Sequence, residues 1–140
     1  MGKRVAVSGF MDPIHIGHVE YLKLAKEFAG ENGKLIVILN TDAQAVIKKG
    51  RAFMPCEERK AIVEAIRYVD EVFVAVDEDI TVCKSLECVK PDCFLKGGDR
   101  FSNEIPERAV CERLGIALLD GFGNKIQSSS ALTGLVAIKQ

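Results

Sequence analysis

The stretch Lys34-Leu35-Ile36-Val37-Ile38-Leu39-Asn40 decides the fold. Five consecutive apolar residues leave no polar face, which is the pattern of a strand buried on both sides in a parallel sheet. Upstream, Gly30-Glu31-Asn32-Gly33 ends a helix predicted over residues 17–29, where Val19, Leu22, Leu24, Ala25 and Phe28 recur at helical spacing. Before that helix, residues 3–8 read as a first strand with Val5, Ala6 and Val7 continuous.

Downstream, a helix is predicted over about 56–68. It has Glu57 and Glu58 in its first turn and Ala61, Ile62, Ala65 and Ile66 on one face. A strand at 71–76, a helix at 80–89, a strand at 93–95, a helix at about 106–114, a strand at 116–119 and a helix from 128 to about 139 complete the pattern. Strands alternating with helices predict an α/β fold: a Rossmann-like, doubly wound parallel sheet of five strands with helices on both faces. Residues 1–140 read as a single domain of this kind. Ligands of such sheets bind outside the carboxyl ends of the strands, at the point where the strand order reverses. The segments to search are therefore 8–18, 40–51, 96–100 and 122–130.

Composition narrows the classes. The chain has 19 Lys and Arg against 20 Asp and Glu, a net charge of −1, which argues against a protein that coats nucleic acid or membrane by bulk charge. No apolar run approaches the ~18 residues of a membrane span, and no signal-peptide core follows the N-terminus. The expected compartment is the cytoplasm. The five cysteines, Cys56, Cys83, Cys88, Cys93 and Cys111, form no C-x-x-C pair and are expected to be reduced thiols, mostly buried or half-buried. No zinc site is expected.

Both histidines of the chain fall in His15-Ile16-Gly17-His18, between the first strand and the first helix. Helix capping is the plain role for such a pair. The location favours phosphate binding: free amides and the positive end of the helix dipole attract anions, Gly17 permits close approach, and the imidazoles add donors able to carry charge. The segment Lys48-Lys49-Gly50-Arg51 follows the second strand on the same side, with Lys48 the first candidate to meet phosphate as a point charge. Arg59 sits among Glu57 and Glu58, where an ion pair with those glutamates is the simpler role. Lys96-Gly97-Gly98-Asp99-Arg100 is a turn after a strand, and Ser128-Ser129-Ser130 opens the last helix with a cluster of hydroxyl and backbone donors. No Walker A, G-x-G-x-x-G after the first strand, or G-x-S-x-G elbow occurs.

The segment Gly9-Phe10-Met11-Asp12-Pro13-Ile14-His15-Ile16-Gly17-His18 resembles the G-x-F-D-x-x-H-x-G-H signature of the cytidylyltransferase-like nucleotidyltransferases. Met11 stands where the signature has Phe, with Phe10 next to it. The resemblance extends over nearly the whole chain. Asn40-Thr41-Asp42 resembles the S/N-T/S-D of the superfamily. Glu57-Glu58-Arg59 and Arg67-Tyr68-Val69-Asp70-Glu71-Val72 are similar to glycerol-3-phosphate cytidylyltransferases. Lys96-Gly97-Gly98-Asp99 resembles the V-K-G-G-D of heptose-1-phosphate adenylyltransferases, and the three serines match an S-T-T or S-S-S. The arginine that precedes the serines in cytidylyltransferases is missing, with Lys125 the nearby cation.

This resemblance implies transfer of a nucleoside monophosphate from ATP or CTP to a small sugar- or polyol-phosphate, with release of pyrophosphate and no covalent intermediate. Adenylyl transfer is favoured, and an acceptor smaller than a cofactor precursor suits the short chain. His15, His18 and Lys48 would be catalytic. Gly9, Phe10, Met11, Asp12, Gly17, Gly97, Asp99, Ser128, Ser129 and Ser130 would bind nucleotide. Asp42, Lys48, Arg59, Lys96 and Arg100 would bind the acceptor. Mg²⁺ would accompany the triphosphate, with Asp12 orienting the loop or reaching the metal through water, and no metal held by protein ligands alone. The expected partners are the triphosphate and the phosphate monoester, with no nucleic acid and no membrane, in a homodimer. The alternatives are a cytidylyltransferase of the glycerol-3-phosphate type, a non-catalytic nucleotide-binding module, and a hydrolase of nucleotide esters.

Overall fold

A computed structural model describes residues 3–97 and 106–122. Its strands are β1 (Arg4–Gly9), β2 (Lys34–Leu39), β3 (Glu71–Val74), β4 (Cys93–Gly97) and β5 (Ala117–Phe122). Its helices are α1 (Ile16–Ala29), α2 (Asp42–Lys49), α3 (Cys56–Glu64), α4 (Cys83–Val89) and α5 (Arg108–Leu114). All strand pairings are parallel, in the order β3-β2-β1-β4-β5. The chain runs outward from β1 through β2 to β3, then returns to the other side of β1 for β4 and β5. The order therefore reverses between β1 and β4, the crevice where such sheets bind ligands.

Alternation along each strand feeds two cores. Val5, Val7, Leu35, Val37 and Leu39 pack with Leu22 and Ala25 of α1 and Val63 of α3. Ala6, Ile36 and Ile38 point the other way, onto Leu86 and Val89 of α4 and Val110 and Cys111 of α5. This is the doubly wound architecture predicted above, and it explains why β2 has no polar face. The register sets Gly9 opposite Leu39, so the loops after β1 and β2 leave the sheet side by side.

The principal correction is α2. The sequence pattern predicts no element over residues 41–55, and the structure makes residues 42–49 a helix. Thr41 is its N-cap: the Gln44 amide donates to Thr41 Oγ1 at 3.1 Å, and the Thr41 amide donates to Gln44 Oε1 at 2.9 Å. Gly50, left-handed at φ 91°, closes its C-terminus. Lys48 and Lys49 thus stand in a helix's last turn, not in a loop. The third helix stops at Glu64, four residues short of expectation, and α4 begins at Cys83. The expected last helix from residue 128 lies outside the described residues.

All five cysteines are free thiols; Cys93 and Cys111 are buried, Cys56 and Cys83 half-buried, Cys88 exposed. Burial pushes the Cys111 thiol up to about 11 and raises Cys56, which sits near the carboxyl end of β2. Neither is a thiolate nucleophile at neutral pH.

Candidate functional site

The loop between β1 and α1 is built around two buried side chains. Met11, at φ 51° and 1 % exposed, takes its place in the core of β1, β2 and α1. Asp12, fully buried, precedes a cis bond to Pro13 and accepts from three donors: the Phe53 amide on Oδ2 at 2.7 Å, the Met54 amide on Oδ1 at 2.5 Å, and Lys49 Nζ at 2.9 Å. Lys49 Nζ also donates to the Asp12 carbonyl at 2.9 Å. Burial alone would raise the Asp12 pKa; Lys49 and the two amides outweigh it and hold the carboxyl below its usual value. Both carboxyl oxygens are thus engaged, tying the β1–α1 loop to residues 53–54 and to Lys49.

His15 is the N-cap of α1. Its Nδ1 accepts from the Gly17 amide at 3.1 Å, and His18 Nδ1 accepts from the His15 amide at 3.1 Å. This is a reciprocal capping box with imidazoles in both roles. It changes the expected donor set. The amides of Gly17, His18 and Val19 are all used within the turn, on His15 Nδ1 and the His15 carbonyl. Nδ1 acting as acceptor puts the proton of each neutral ring on Nε2, so the imidazoles become the donors that the backbone is not. The ring centroids are 3.9 Å apart at 32°. Burial, and secondly the charge of His15, lower the His18 pKa to about 4. His18 is therefore a neutral donor at pH 7, not a cation.

Lys48, half-buried, has its ammonium 4.6 Å from the centroid of Phe10, and that of Lys49 lies at 6.0 Å. Lysines in the last turn of a helix are favoured by its negative end. The last turn of α2 is fastened to the β1–α1 loop through Lys49 and Asp12. The sequence reading ranked Lys49 below Lys48, and the structure gives it a buried ion pair.

Arg59 is 1 % exposed and spends its guanidinium on the protein. Nε donates to the Met54 carbonyl at 2.9 Å, Nη1 to the carbonyls of Phe10 at 2.6 Å and Asn40 at 2.8 Å, and Nη2 to Asp42 Oδ1 at 2.7 Å. The expected ion pair with Glu57 or Glu58 is replaced by one with Asp42. In this arrangement Arg59 ties the loops after β1 and β2 to α3 and pairs with Asp42 at the start of α2. Lys96 Nζ donates to Ser8 Oγ at 3.4 Å, placing Lys96 across the β1–β4 crevice, and Gly97 ends β4.

The structure thus gathers Gly9, Phe10, Met11, Asp12, His15, Gly17, His18, Asp42, Lys48 and Arg59 at the carboxyl ends of β1 and β2, with Lys96 and Gly97 at the end of β4. Gly98, Asp99, Arg100, Lys125, Ser128, Ser129 and Ser130 lie outside the described residues. Gln44 was not singled out. It is fully buried, accepts from Asn40 Nδ2 at 3.1 Å, and donates to the carbonyls of Asp79 at 2.6 Å and Thr81 at 2.9 Å. The spacing Thr41-x-x-Gln44 was the signal for it.

A sequence profile described as cytidylyltransferase-like matches residues 6–129. This chain belongs to the cytidylyltransferase-like family. Members are nucleotidyltransferases, and the chain is an enzyme of that class. An FAD synthase of Methanopyrus kandleri is 34 % identical over 116 residues, covering 83 % of this chain and 76 % of that protein. An FAD synthase of Pyrococcus horikoshii is 41 % identical over 98 residues, 69 % of this chain and 64 % of its own length. The bifunctional protein HldE of Geobacter sulfurreducens is 38 % identical over 129 residues; this cytidylyltransferase-like chain covers only 25 % of that protein's length. A crystal structure titled as a lipopolysaccharide core biosynthesis protein of Thermoplasma volcanium superposes with TM-score 0.69 at 26 % identity, over 85 % of this chain and 96 % of the other.

Proposed function

We propose that this protein transfers the adenylyl group of ATP to a small phosphate monoester. A phosphate oxygen of the acceptor attacks the α-phosphorus in line, the bond to the bridging oxygen breaks, and pyrophosphate leaves. The observation that carries this reading is the paired imidazoles. With Nδ1 of each occupied by backbone, His15 and His18 offer Nε2–H donors at the carboxyl end of β1, suited to the charge that builds on the α- and β-phosphates. Lys48 holds the incoming phosphate against the α-phosphate, so catalysis rests on positioning and charge neutralisation. Lys96 contacts the acceptor from across the crevice. Among the described residues no group of three His, Cys, Asp or Glu is arranged to hold a metal, and Asp12 is engaged by Lys49 and two amides. Mg²⁺ is expected to arrive on the triphosphate, where it would supply charge neutralisation.

The choice of ATP over CTP rests on where the two conflicting resemblances lie. Residues 67–72, the cue for CTP, sit at the amino end of the sheet. Asp70 Oδ2 there accepts from the Leu35 amide at 2.8 Å and from Lys26 Nζ at 2.6 Å. Leu35 and Leu39 are four residues apart along β2, about 13 Å at strand rise, so this motif joins the start of β2 to β3 and is remote from the ligand end. It carries structural information, not nucleotide preference. The cue for ATP, Lys96-Gly97-Gly98-Asp99, begins at the carboxyl end of β4, and FAD, the product in the name of the relatives, contains an adenylyl group. Those relatives add FMN, bulkier than a sugar phosphate, to the acceptors worth testing. We further propose a cytoplasmic homodimer; among the described residues no helix is long and apolar enough to cross a membrane.

The test is a matrix of ATP, CTP, UTP and GTP against FMN, sugar 1-phosphates and polyol phosphates, read by pyrophosphate release. ATP with one acceptor should stand above every other cell, and His15→Ala should abolish the signal. CTP exceeding ATP overturns the adenylyl assignment in favour of the cytidylyl one. Pyrophosphate release without any acceptor points to a hydrolase, and no release in any cell to a binding module.

A further inference from the structure

Relative to the signature it resembles, this chain carries its loop aromatic one residue early, and the shift brings it against the phosphate-site lysine. Met11 fills the buried position at 1 % exposure, while Phe10 is half-buried with its ring centroid 4.6 Å from Lys48 Nζ. The backbones that carry ring and ammonium are each held by independent means. The Phe10 carbonyl accepts from Arg59 Nη1 at 2.6 Å, which fixes the backbone under the ring. Lys48 leaves the last turn of a helix closed by Gly50 and fastened next door by the buried Lys49–Asp12 pair.

We propose that Phe10 is a positioning residue for Lys48. Its ring face holds the ammonium in the geometry from which the lysine meets the incoming phosphate. The inference rests on the reading of Lys48 as a phosphate ligand. The physical reason is a difference between two ways of holding a cation. A carboxylate cancels the charge it holds and competes with phosphate for it, as Asp12 does with Lys49. An aromatic quadrupole attracts the ammonium without cancelling its charge. Two neighbouring lysines thus divide the work: Lys49 locks helix to loop, and Lys48 stands on the ring face. A lysine left in water would lose its rotamer freedom when phosphate binds; one already held by a ring loses less.

The experiment uses the full chain and inorganic pyrophosphate or Mg·ATP as the probe, with affinity read by calorimetry. Phe10→Leu should weaken pyrophosphate binding about threefold to tenfold, and Phe10→Tyr should restore it to within about twofold. Phenylalanines bearing one, two and three ring fluorines at position 10 should weaken it stepwise, since fluorine drains the quadrupole with little change of shape. In protein labelled at lysine Cε, the Lys48 ε-methylene resonance should carry an upfield ring-current shift that Phe10→Leu removes. Phe10→Leu should add nothing in a Lys48→Gln background. If Lys48→Gln weakens binding but Phe10→Leu and the fluorinated series do not, the Phe10 proposal fails alone. If Phe10→Leu retains its full effect in Lys48→Gln, the ring acts by another route and the proposal also fails. If Lys48→Gln binds as tightly as the parent, the phosphate reading of Lys48 fails first. Should Phe10→Leu not fold, the tyrosine and fluorinated forms decide.

Discussion

Asp12 and Lys49 meet at 2.9 Å with Asp12 fully buried and the Lys49 side chain only 10 % exposed, and this pair joins the β1–α1 loop to the last turn of α2. Removing one partner leaves the other buried without its counter-charge. Lys49→Met is expected to cost about 3 kcal/mol, and the double variant Lys49→Met with Asp12→Asn to cost less than the sum of the singles. Urea unfolding at pH 7 measures both. The Asp12 carboxyl is held below its unfolded value of 3.8, so its contribution is complete above that pH and is lost as pH falls through the folded value. A Lys49→Met penalty that stayed unchanged between pH 7 and pH 2 would contradict this.

His18 also loses stability on acidification, but for the opposite reason: the fold disfavours its charged form. Its folded pKa of about 4 lies below the unfolded 6.5, because burial, and then the charge of His15, disfavours the imidazolium. The unfolded chain binds the proton first, so stability is full above pH 6.5 and declines as pH falls toward 4, by roughly 3 kcal/mol over that window. The His18 ring resonance should titrate near 4 by NMR. A midpoint near 6.5 would show an exposed ring and remove the case for a neutral donor.

Asp70 separates fold from specificity. The resemblance of residues 67–72 to CTP-using enzymes predicts that changes there alter nucleotide choice, whereas the position of Asp70 at the amino end of β2 predicts that they do not. Asp70→Asn weakens the pair with Lys26 and the bond from the Leu35 amide. The expected loss is about 1 kcal/mol of stability, with the ratio of ATP to CTP turnover unchanged. A shift in that ratio of tenfold or more would reinstate the motif as a specificity element.

What the sequence revealed and what it hid follow from which signals are local. The apolar run of β2 and the stripe of α1 were legible because burial leaves periodic marks. Helix α2 was not, since Val46 and Ile47 are exposed and its buried residues are Gln44 and Ala45. Its marks were the Thr41–Gln44 capping box, Asp42 in the first turn, Lys48 and Lys49 in the last, and Gly50. The histidine pair was found by position, but the reciprocal Nδ1 caps that send both protons to Nε2 depend on side-chain geometry. Arg59 in a run of Glu-Glu-Arg looks solvated, and nothing local announces that the Phe10 and Asn40 carbonyls, from two distant loops, converge on it beside that of Met54.

That convergence yields the last prediction. Arg59 reaches the carbonyls of Phe10, Asn40 and Met54 and the Asp42 carboxylate at the same time, using the planar spread of its guanidinium. A lysine keeps the charge but has one compact donor head, which cannot span carbonyls on three segments. Arg59→Lys is therefore expected to cost about 3 kcal/mol or more, close to the cost of Arg59→Leu, because Arg59 itself is buried and the buried Asn40 carbonyl loses its donor. If Arg59 instead served chiefly as a charge facing the acceptor's phosphate, Arg59→Lys would keep most stability and change KM alone. Thermal unfolding of both variants beside their KM for the acceptor distinguishes the two: a large, similar drop in Tm for Lys and Leu marks a clamp between loops, and a KM change at parental Tm marks a phosphate ligand.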